Sequence, residues 1–164
     1  MICDLSMVLN NDGAMLEFSD TLSLEKDACG ADVSFANGVA VRGTITCRGD
    51  VLELSAHVEG AFEVSCARCL KELHQEISFD FEETLAQEGE EIPDRDSVII
   101  FTGMKLDISE IVVSNLLLNL SYKYVCSDDC KGICPKCGAD LNLVDCGCEQ
   151  DEIDPRWEKL KNFK

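Results

Sequence analysis

Apolar and polar residues alternate over long stretches of the first hundred positions, and this pattern predicts β-strands. The segment 39–47 is rich in β-branched residues, and 51–58 alternates after a turn at 48–50. Glutamate and glycine at 59–60 predict a second turn, which would separate 51–58 from a further strand at 61–65. Alternation with a period of two is typical of a strand with one buried face and one solvated face.

Strand character resumes after this region. Ile77, Phe79 and Phe81 would project from one face of a strand, while the polar residues between them would project from the other. Residues 87–96 are acidic and include glycine and proline, which favours a solvated loop. The apolar run 98–101 then predicts a short buried strand.

A helix is predicted in the second half of the chain. Asp107 has the character of an N-cap, and Glu110, three residues later, would complete a capping box. Apolar residues cover most of the circumference of the segment 111–120, so this helix is expected to be buried. A second, short helix is predicted at 153–164, where Pro155 would occupy the first turn.

The composition is that of a folded but strongly acidic protein. Apolar residues make up 46% of the 164 residues, and the formal charge is −18 with a pI near 4.3. The simplest interpretation of this charge is solubility, and the sharper one is a basic partner, because an acidic surface repels phosphate backbones. Neither a signal peptide nor an apolar run of about 20 residues is present, so we expect a cytoplasmic protein without a membrane-spanning segment.

Catalytic signatures are missing from the sequence. It has no GxxxxGK phosphate-binding loop, no GxGxxG, no HExxH and no GxSxG, and its histidines are His57 and His74. We therefore predict neither an enzymatic activity nor a small-molecule substrate.

The eleven cysteines are the most informative feature of the composition. Dense cysteines at short spacings in a reducing compartment indicate metal binding rather than disulfides. Cys3, Cys29 and Cys47 stand apart from the others, and we interpret them as small buried hydrophobic residues.

Four cysteines near the carboxyl terminus have the spacing of a closed zinc site, namely Cys134, Cys137, Cys146 and Cys148. Two residues between thiolates allow both sulfurs to reach one ion, and Gly138 can adopt the positive φ that such a turn tends to need. In a tetrahedral site with Zn–S bonds of about 2.3 Å, the sulfurs lie ~3.8 Å apart. A site with four thiolates has no open position and would be structural.

Cys126 and Cys130 form a looser pair that needs two further ligands. Cys66 and Cys69, at the end of a predicted strand, are the natural donors, and a second ion would then tie the β-rich part to the carboxyl-terminal segment. His74 is a weaker candidate ligand. The alternative for Cys66 and Cys69 is a reactive dithiol, which would indicate a redox or metal-handling protein.

These patterns predict an α+β fold with an antiparallel, β-rich amino-terminal part, one central buried helix and a carboxyl-terminal zinc-knuckle element. We place the boundary after residue 122. Residues 1–122 would form the β-rich domain, and 123–164 would form the cysteine-rich zinc-binding element with the short final helix. One Zn²⁺ ion is predicted, and a second depends on whether the Cys66 pair joins the Cys126 pair.

The motifs resemble those of a bacterial family, the YceD proteins, which are described as large ribosomal RNA subunit accumulation proteins. Members carry a Cys-x-Arg-Cys-Leu segment, which here is 66–70. Gram-positive-type members add Cys-Lys-Gly-Leu-Cys-Pro-x-Cys-Gly-x-x-Leu-Asn, then Cys-x-Cys and Asp-Pro-Arg, and these resemble 130–142, 146–148 and 154–156. The helix entry of the family resembles 106–110.

The resemblance runs from about residue 40 to the end, and it implies a non-enzymatic role in 23S ribosomal RNA accumulation or large-subunit assembly. Because the chain is acidic, we expect this role to run through basic ribosomal proteins, a large-subunit assembly intermediate or a small local RNA contact. Arg68, Lys131 and Lys136 lie beside the cysteines and could make that contact. The simpler interpretation is that they offset the negative charge of a four-thiolate site.

Overall fold

The computed structural model describes residues 1–25, 28–30, 33–49, 51–89 and 98–148. Within these residues the chain forms eight β-strands and one α-helix. The strands are β1 Ile2–Asp4, β2 Met15–Leu22, β3 Val33–Ser34, β4 Val39–Arg48, β5 Val51–Ser65, β6 Glu72–Gln87, β7 Val98–Phe101 and β8 Lys105–Asp107, and the helix α1 is Ser109–Asn119. The fold is mostly β with one helix, which agrees broadly with the predicted class.

The chain divides into two compact units. The first unit consists of residues 1–65 and 72–122, and it contains all of the described strands and the helix. The second unit consists of residues 66–71 and the chain from Lys123 onward, and its described residues end at 148. The short segment 66–71, which the predicted boundary assigned to the β-rich part, is thus grouped with the cysteine-rich unit.

Two sheets make up the described part of the first unit. The main sheet has the order β2-β4-β5-β6-β7, and β3 pairs with β5 beyond the last residue that pairs with β4. β1 and β8 form a separate antiparallel pair, in which Cys3 lies opposite Leu106. The pairs β4–β5 and β5–β6 are antiparallel, as predicted, because only short connections join these strands.

β5 is one continuous strand of 15 residues, so the predicted turn at Glu59-Gly60 is wrong. Both residues stay in the ladder with β6, where Glu59 lies opposite Ser78 and Gly60 lies opposite Ile77. The glycine has a packing reason, because a β-carbon built at this position would lie 2.9 Å from Cγ1 of Val39. Here a glycine inside a strand marks a close approach and not a chain reversal.

Alternation along β6 agrees with the prediction, because Phe81 is buried, Ile77 and Phe79 are half-buried, and the polar residues between them are exposed. β7 forms at the predicted position but runs parallel to β6, whereas an antiparallel arrangement was expected. It is also less buried than expected, since Phe101 is buried but Ile100 is 44% exposed. Successive side chains of a strand point to opposite faces, so a strand covered on one face buries only half of them.

The core of the first unit lies against one face of the main sheet. The inward-facing side chains of β4, β5 and β6 include Ile45, Leu54 and Leu85, all of which are fully buried. Helix α1 lies against the same face, because Asn115 of the helix donates to the inward-facing Glu83 of β6 at 2.9 Å. The opposite face of these strands carries mostly polar side chains that are exposed or half-buried.

The start of helix α1 differs by one residue from the prediction. Ile108 is the N-cap, so the predicted capping box, which requires Asp107 at that position, is wrong. Asp107 nevertheless supports the first turn, because its carboxylate accepts the N–H of Ser109 at 2.9 Å. The Ser109 hydroxyl, followed by the Ser109 N–H and the amino-terminal ammonium, lowers the pKa of Asp107 to about 2.

Helix α1 is buried along one side only, so the expectation of a buried helix is only partly correct. Ile111, Val112 and Leu116 are buried, whereas Leu118 is 83% exposed. A helix that packs against one sheet face buries the side toward that face, whatever residues its far side carries. In the described part of the chain, no helix is long and apolar enough to cross a membrane.

Two predictions fall outside the described residues. They are the short helix at 153–164 and residues 90–96 of the acidic loop. Both stay predictions.

Substitution of Leu54 tests whether the core lies on the assigned face of the main sheet. The Leu54 side chain is 1% exposed, and truncation to alanine removes apolar contacts and leaves a cavity. We expect Leu54→Ala to lower the free energy of unfolding by about 2–5 kcal/mol in urea titrations followed by circular dichroism. Ser55→Ala, on the exposed face of the same strand, is the control and should change it by less than about 0.5 kcal/mol. Equal losses in the two variants would contradict the assigned face.

Candidate metal centre

Eight of the eleven cysteines converge into two groups of four. In each group the four sulfur atoms all lie within 4.8 Å of one another. The first cluster is Cys66, Cys69, Cys126 and Cys130, and the second cluster is Cys134, Cys137, Cys146 and Cys148. Both clusters lie within the second unit. The structure therefore brings together the pairs that the sequence analysis grouped.

The first cluster is built on the loop 66–71, which joins β5 to β6. The N–H of Cys66 donates to the carbonyl of Lys71 at 2.8 Å, and the N–H of Leu70 donates to the carbonyl of Cys66 at 2.9 Å. These two bonds close a tight turn. The turn places the sulfurs of Cys66 and Cys69 within reach of a single ion.

Arg68 fastens this loop to the segment that carries Cys130. Its Nη1 donates to the carbonyl oxygens of Asp128 and Cys130, both at 2.9 Å, and its own carbonyl accepts the N–H of Ile133 at 3.1 Å. A β-carbon at Gly132 would lie 2.9 Å from that same carbonyl oxygen, so the close approach requires glycine. The place of Arg68 beside the cysteines predicted an RNA contact or charge compensation, and the structure adds a positioning role.

The second cluster begins at the turn of a short hairpin. The N–H of Gly138 donates to the carbonyl of Cys134, and the N–H of Cys134 donates to the carbonyl of Ala139, both at 2.8 Å. The segment from Cys134 to Cys137 is therefore the turn itself. The other two sulfurs of the cluster come from 146–148, further along the chain.

Backbone N–H groups of the two turns stabilise thiolates. In the first cluster, the N–H of Cys69 and then that of Arg68 outweigh burial and lower the pKa of Cys66 to about 6. In the second cluster, the N–H groups at the equivalent positions of the turn lower the pKa of Cys134 to about 6. Each Cys-x-x-Cys turn thus favours the ionised form of its first cysteine.

The neighbouring thiols show the opposite effect. The sulfur of Cys146, followed by that of Cys137, raises the pKa of Cys148 to about 12. The sulfur of Cys130 is the main cause that raises the pKa of Cys126. Thiolates at these distances repel one another, so four cannot be ionised together unless a cation lies among them.

The spacing of the sulfur atoms fits a tetrahedral metal ion. Sγ of Cys66 lies 3.9 Å from Sγ of Cys130, and Sγ of Cys69 lies 3.6 Å from Sγ of Cys126. Tetrahedral coordination with metal–sulfur bonds of about 2.3 Å requires ~3.8 Å. Each cluster could therefore hold a metal ion such as zinc, and its four sulfurs would occupy every position of a tetrahedral ion.

The two turns differ at the position that follows their second cysteine. That residue has a positive φ in both, 60° at Leu70 and 73° at Gly138. Glycine adopts this conformation freely, whereas a leucine is strained by about 1–2 kcal/mol. Burial does not offset the strain, because the Leu70 side chain is 64% exposed. The hydrogen bonds that close the 66–71 loop must therefore hold a strained residue in place.

The remaining candidates lie outside both clusters. Cys3 and Cys47 are buried, which agrees with their interpretation as small buried hydrophobic residues, whereas Cys29 is only half-buried. His74, the weaker candidate ligand, lies on β6, where its Nδ1 is 3.5 Å from a carboxylate oxygen of Glu63. It does not belong to the first cluster.

Asn142 is a residue of the site that the sequence analysis missed. Its Nδ2 lies 3.5 Å from Sγ of Cys130, although Asn142 itself belongs to the loop between cysteines of the second cluster. Its one signal in the sequence is its place as the asparagine that ends the motif at 130–142. Which sulfur it faces follows only from the folded hairpin.

The formal charge is divided unevenly between the two units. The second unit contains nine Lys and Arg against nine Asp and Glu, so the first unit carries the whole formal charge of −18. Repulsion of phosphate groups is therefore chiefly a property of the β-rich unit.

Comparison with known proteins identifies a matching family. The family model described as "Large ribosomal RNA subunit accumulation protein YceD" matches residues 54–164. This range contains all eight cysteines of the two clusters. No solved structure matches the chain significantly.

Individual relatives come from bacteria and from a plant. An uncharacterized protein of Mycobacterium tuberculosis is 28% identical over 178 aligned positions, which cover 98% of this chain and 79% of that protein. The uncharacterized protein YlbN of Bacillus subtilis is 23% identical, over 90% of this chain and 87% of that protein. A chloroplastic protein of Arabidopsis thaliana, "Large ribosomal RNA subunit accumulation protein YCED homolog 1", is 35% identical over 60 residues, 37% of this chain and 19% of that protein.

The two turns differ in the residue that adopts a positive φ, leucine in the first and glycine in the second, and this difference predicts opposite changes in metal affinity. Leu70→Gly removes the strain of a positive φ and should raise the metal affinity of the first cluster roughly two- to fivefold, because added flexibility of the unfolded chain offsets part of the ~1 kcal/mol gained. Gly138→Ala introduces such strain and should lower the affinity of the second cluster about fivefold. A β-carbon at Gly138 meets no atom within 4 Å, so backbone strain is its sole cost.

Co²⁺ titration in competition with a chelator measures both affinities. Val144→Ala, at a side chain that is 52% exposed and lies between the two cysteine pairs of the second cluster, is the control for Gly138→Ala. Affinities that change in the same direction in Leu70→Gly and Gly138→Ala would refute the strain argument.

Proposed function

Since the chain belongs to the YceD family, we propose that it is a non-enzymatic ribosome-biogenesis factor that supports 23S ribosomal RNA accumulation and large-subunit assembly. The observation that carries this proposal is the family match over residues 54–164, whose description names large ribosomal RNA subunit accumulation. A chloroplastic relative bears the same description in its name. The match includes every residue of both cysteine clusters, so the family relationship and the candidate metal centre concern the same part of the chain.

In this proposal two Zn²⁺ ions stabilise the second unit, one held by each cluster. Four thiolates at tetrahedral spacing favour zinc over the harder ions Mg²⁺ and Ca²⁺, which prefer oxygen ligands. Such an ion supplies folding free energy, on the order of 10 kcal/mol or more for structural zinc, and offers no open coordination position for a substrate. The second unit is therefore a rigid binding element.

The partner of the first unit is a basic protein of the large subunit or of its assembly intermediate. The charge division supports this choice, because the β-rich unit carries the whole formal charge of −18. A surface of this charge steers basic partners toward it and repels ribosomal RNA. Direct RNA contact is confined to the second unit, where acidic and basic residues are balanced.

A redox or metal-handling role for Cys66 and Cys69 is the second candidate. The pKa of Cys66, lowered to about 6 chiefly by the N–H of Cys69, is the observation that favours it, because a thiolate is the reactive form of cysteine. A dithiol that works in redox exchange must be accessible and free of tightly bound metal. Metal content and thiol reactivity therefore separate the two candidates.

Elemental analysis of the purified, reduced protein tests the zinc sites. We expect two zinc ions per chain, and Cys69→Ser and Cys148→Ser should each reduce zinc at the cluster that contains the substituted residue. Cys29→Ser, at a half-buried cysteine outside both clusters, is the control and should retain two ions. A reduced chain without zinc, whose Cys66 and Cys69 react with a thiol reagent in the absence of chelator, would favour the redox candidate.

Sedimentation of cell extracts tests the ribosomal role. Tagged protein should travel with precursors of the large subunit, and a strain that lacks the gene should accumulate less 23S ribosomal RNA. Rising salt should release the protein from these particles, because opposite charges attract it to them. The normal chain should restore 23S levels and Cys134→Ser should not. Absence from such particles, together with normal 23S levels in the deletion strain, would refute the role.

A further inference from the structure

The two clusters share one short hairpin, residues 130–142. Its arms are joined by a hydrogen bond of 2.9 Å from the N–H of Leu141 to the carbonyl of Gly132. The first arm begins at Cys130, a member of the first cluster, and ends at Cys134, a member of the second cluster. Whatever fixes the hairpin therefore positions one sulfur in each cluster.

Asn142 reaches from the second arm to Cys130. The N–H of Lys131 can only donate, so the amide atom that faces it at 2.8 Å is the oxygen Oδ1. This orientation directs Nδ2 to Sγ of Cys130 at 3.5 Å and to Oδ1 of Asp140 at 2.7 Å. The backbone N–H of Asn142 donates to the same Asp140 oxygen at 2.8 Å, which holds the residue in this position.

The position of Asn142 in the chain ties this contact to the second cluster. It lies between Cys137 and Cys146, so an ion in the second cluster closes the chain on both sides of it. A short hairpin is at best marginally stable in water by itself, and such a closure would stabilise it. A group that hydrogen-bonds a metal ligand typically changes metal affinity by 10–100-fold.

We propose that Asn142 couples the two clusters, so that an ion in the second cluster organises the first cluster and the two ions load cooperatively. The inference rests on the proposed zinc sites and adds the dependence of one on the other. Asn142 is a positioning residue, because it contacts a ligand sulfur and not the ion. By reciprocity, an ion in the first cluster strengthens binding at the second cluster by the same factor.

Titration of the reduced, metal-free full chain with Zn²⁺, followed by native mass spectrometry, tests this coupling. Two equal and independent sites would leave about half of the chains with a single ion at the midpoint, and positive coupling lowers that fraction. We expect the unsubstituted chain to show few singly loaded molecules. Asn142→Ala should raise their fraction to half or more, because the first cluster loses affinity about 10–100-fold.

Cadmium NMR identifies which cluster is affected. Each occupied cluster should give its own resonance, assigned with Cys69→Ser for the first cluster and Cys148→Ser for the second. In Asn142→Ala the resonance of the second cluster should appear first. A general loss of folding would instead weaken both clusters together, so this order of filling is specific to a positioning role.

Leu143→Ala is the matched control, because Leu143 is the next residue in the same loop and its side chain is 81% exposed. Asn142→Asp keeps the acceptor for the N–H of Lys131 but loses the donor to Cys130, so it should load its ions separately, as Asn142→Ala does. Independent loading in the unsubstituted chain, or equal behaviour of Asn142→Ala and Leu143→Ala, would overturn the coupling and leave the zinc sites intact. A chain that binds no Zn²⁺ would overturn both proposals.

Discussion

Repulsion between crowded thiolates is the constraint on which the second unit depends. Each cluster holds four sulfurs within 4.8 Å of one another, a spacing at which four negative charges cannot coexist without a cation. Two features of the surrounding structure reduce this repulsion. Backbone N–H groups of each turn ease the ionisation of its first cysteine, and the tetrahedral spacing leaves room for one ion among the four sulfurs. Without that ion, the pKa of Cys148 rises to about 12, chiefly because of the Cys146 sulfur.

Most of the residues around the clusters serve to keep the sulfurs in position. The guanidinium of Arg68 donates hydrogen bonds to backbone carbonyls, and Gly132, which has no β-carbon, leaves room for the carbonyl of Arg68. Leu70 has a strained φ of 60°. These contacts explain why the loop 66–71 is grouped with residues more than fifty positions away in the chain. They also explain why a basic residue beside cysteines does not by itself indicate a surface for RNA.

The two units differ in what stabilises their fold and in their formal charge. The first unit folds by ordinary burial of apolar side chains on one sheet face, and it carries the whole formal charge of −18. The second unit buries few apolar side chains in its described residues, and small units of this kind are commonly held by metal. In the proposed ribosomal role, the acidic unit attracts a basic partner, while the zinc-stabilised unit supplies a rigid element in which Lys and Arg are as numerous as Asp and Glu.

The sequence by itself determined the strands β4 and β6, the presence of helix α1 and the grouping of the second cluster, because periodicity and ligand spacing are local properties. The sequence left open whether the Cys66 pair joins the Cys126 pair, because these two pairs lie far apart in the chain. It could not determine that Gly60 packs against Val39 in an unbroken strand, that β7 runs parallel to β6, or that Leu118 is exposed. Each of those features depends on which segment, distant in the chain, packs against the strand or helix concerned. The contact of Asn142 also depends on the tertiary structure. Its position in the motif is visible in the sequence, but only the folded hairpin brings its amide to Cys130. A hydrogen bond requires two groups at short distance, and the order of residues in the chain does not by itself place these two together.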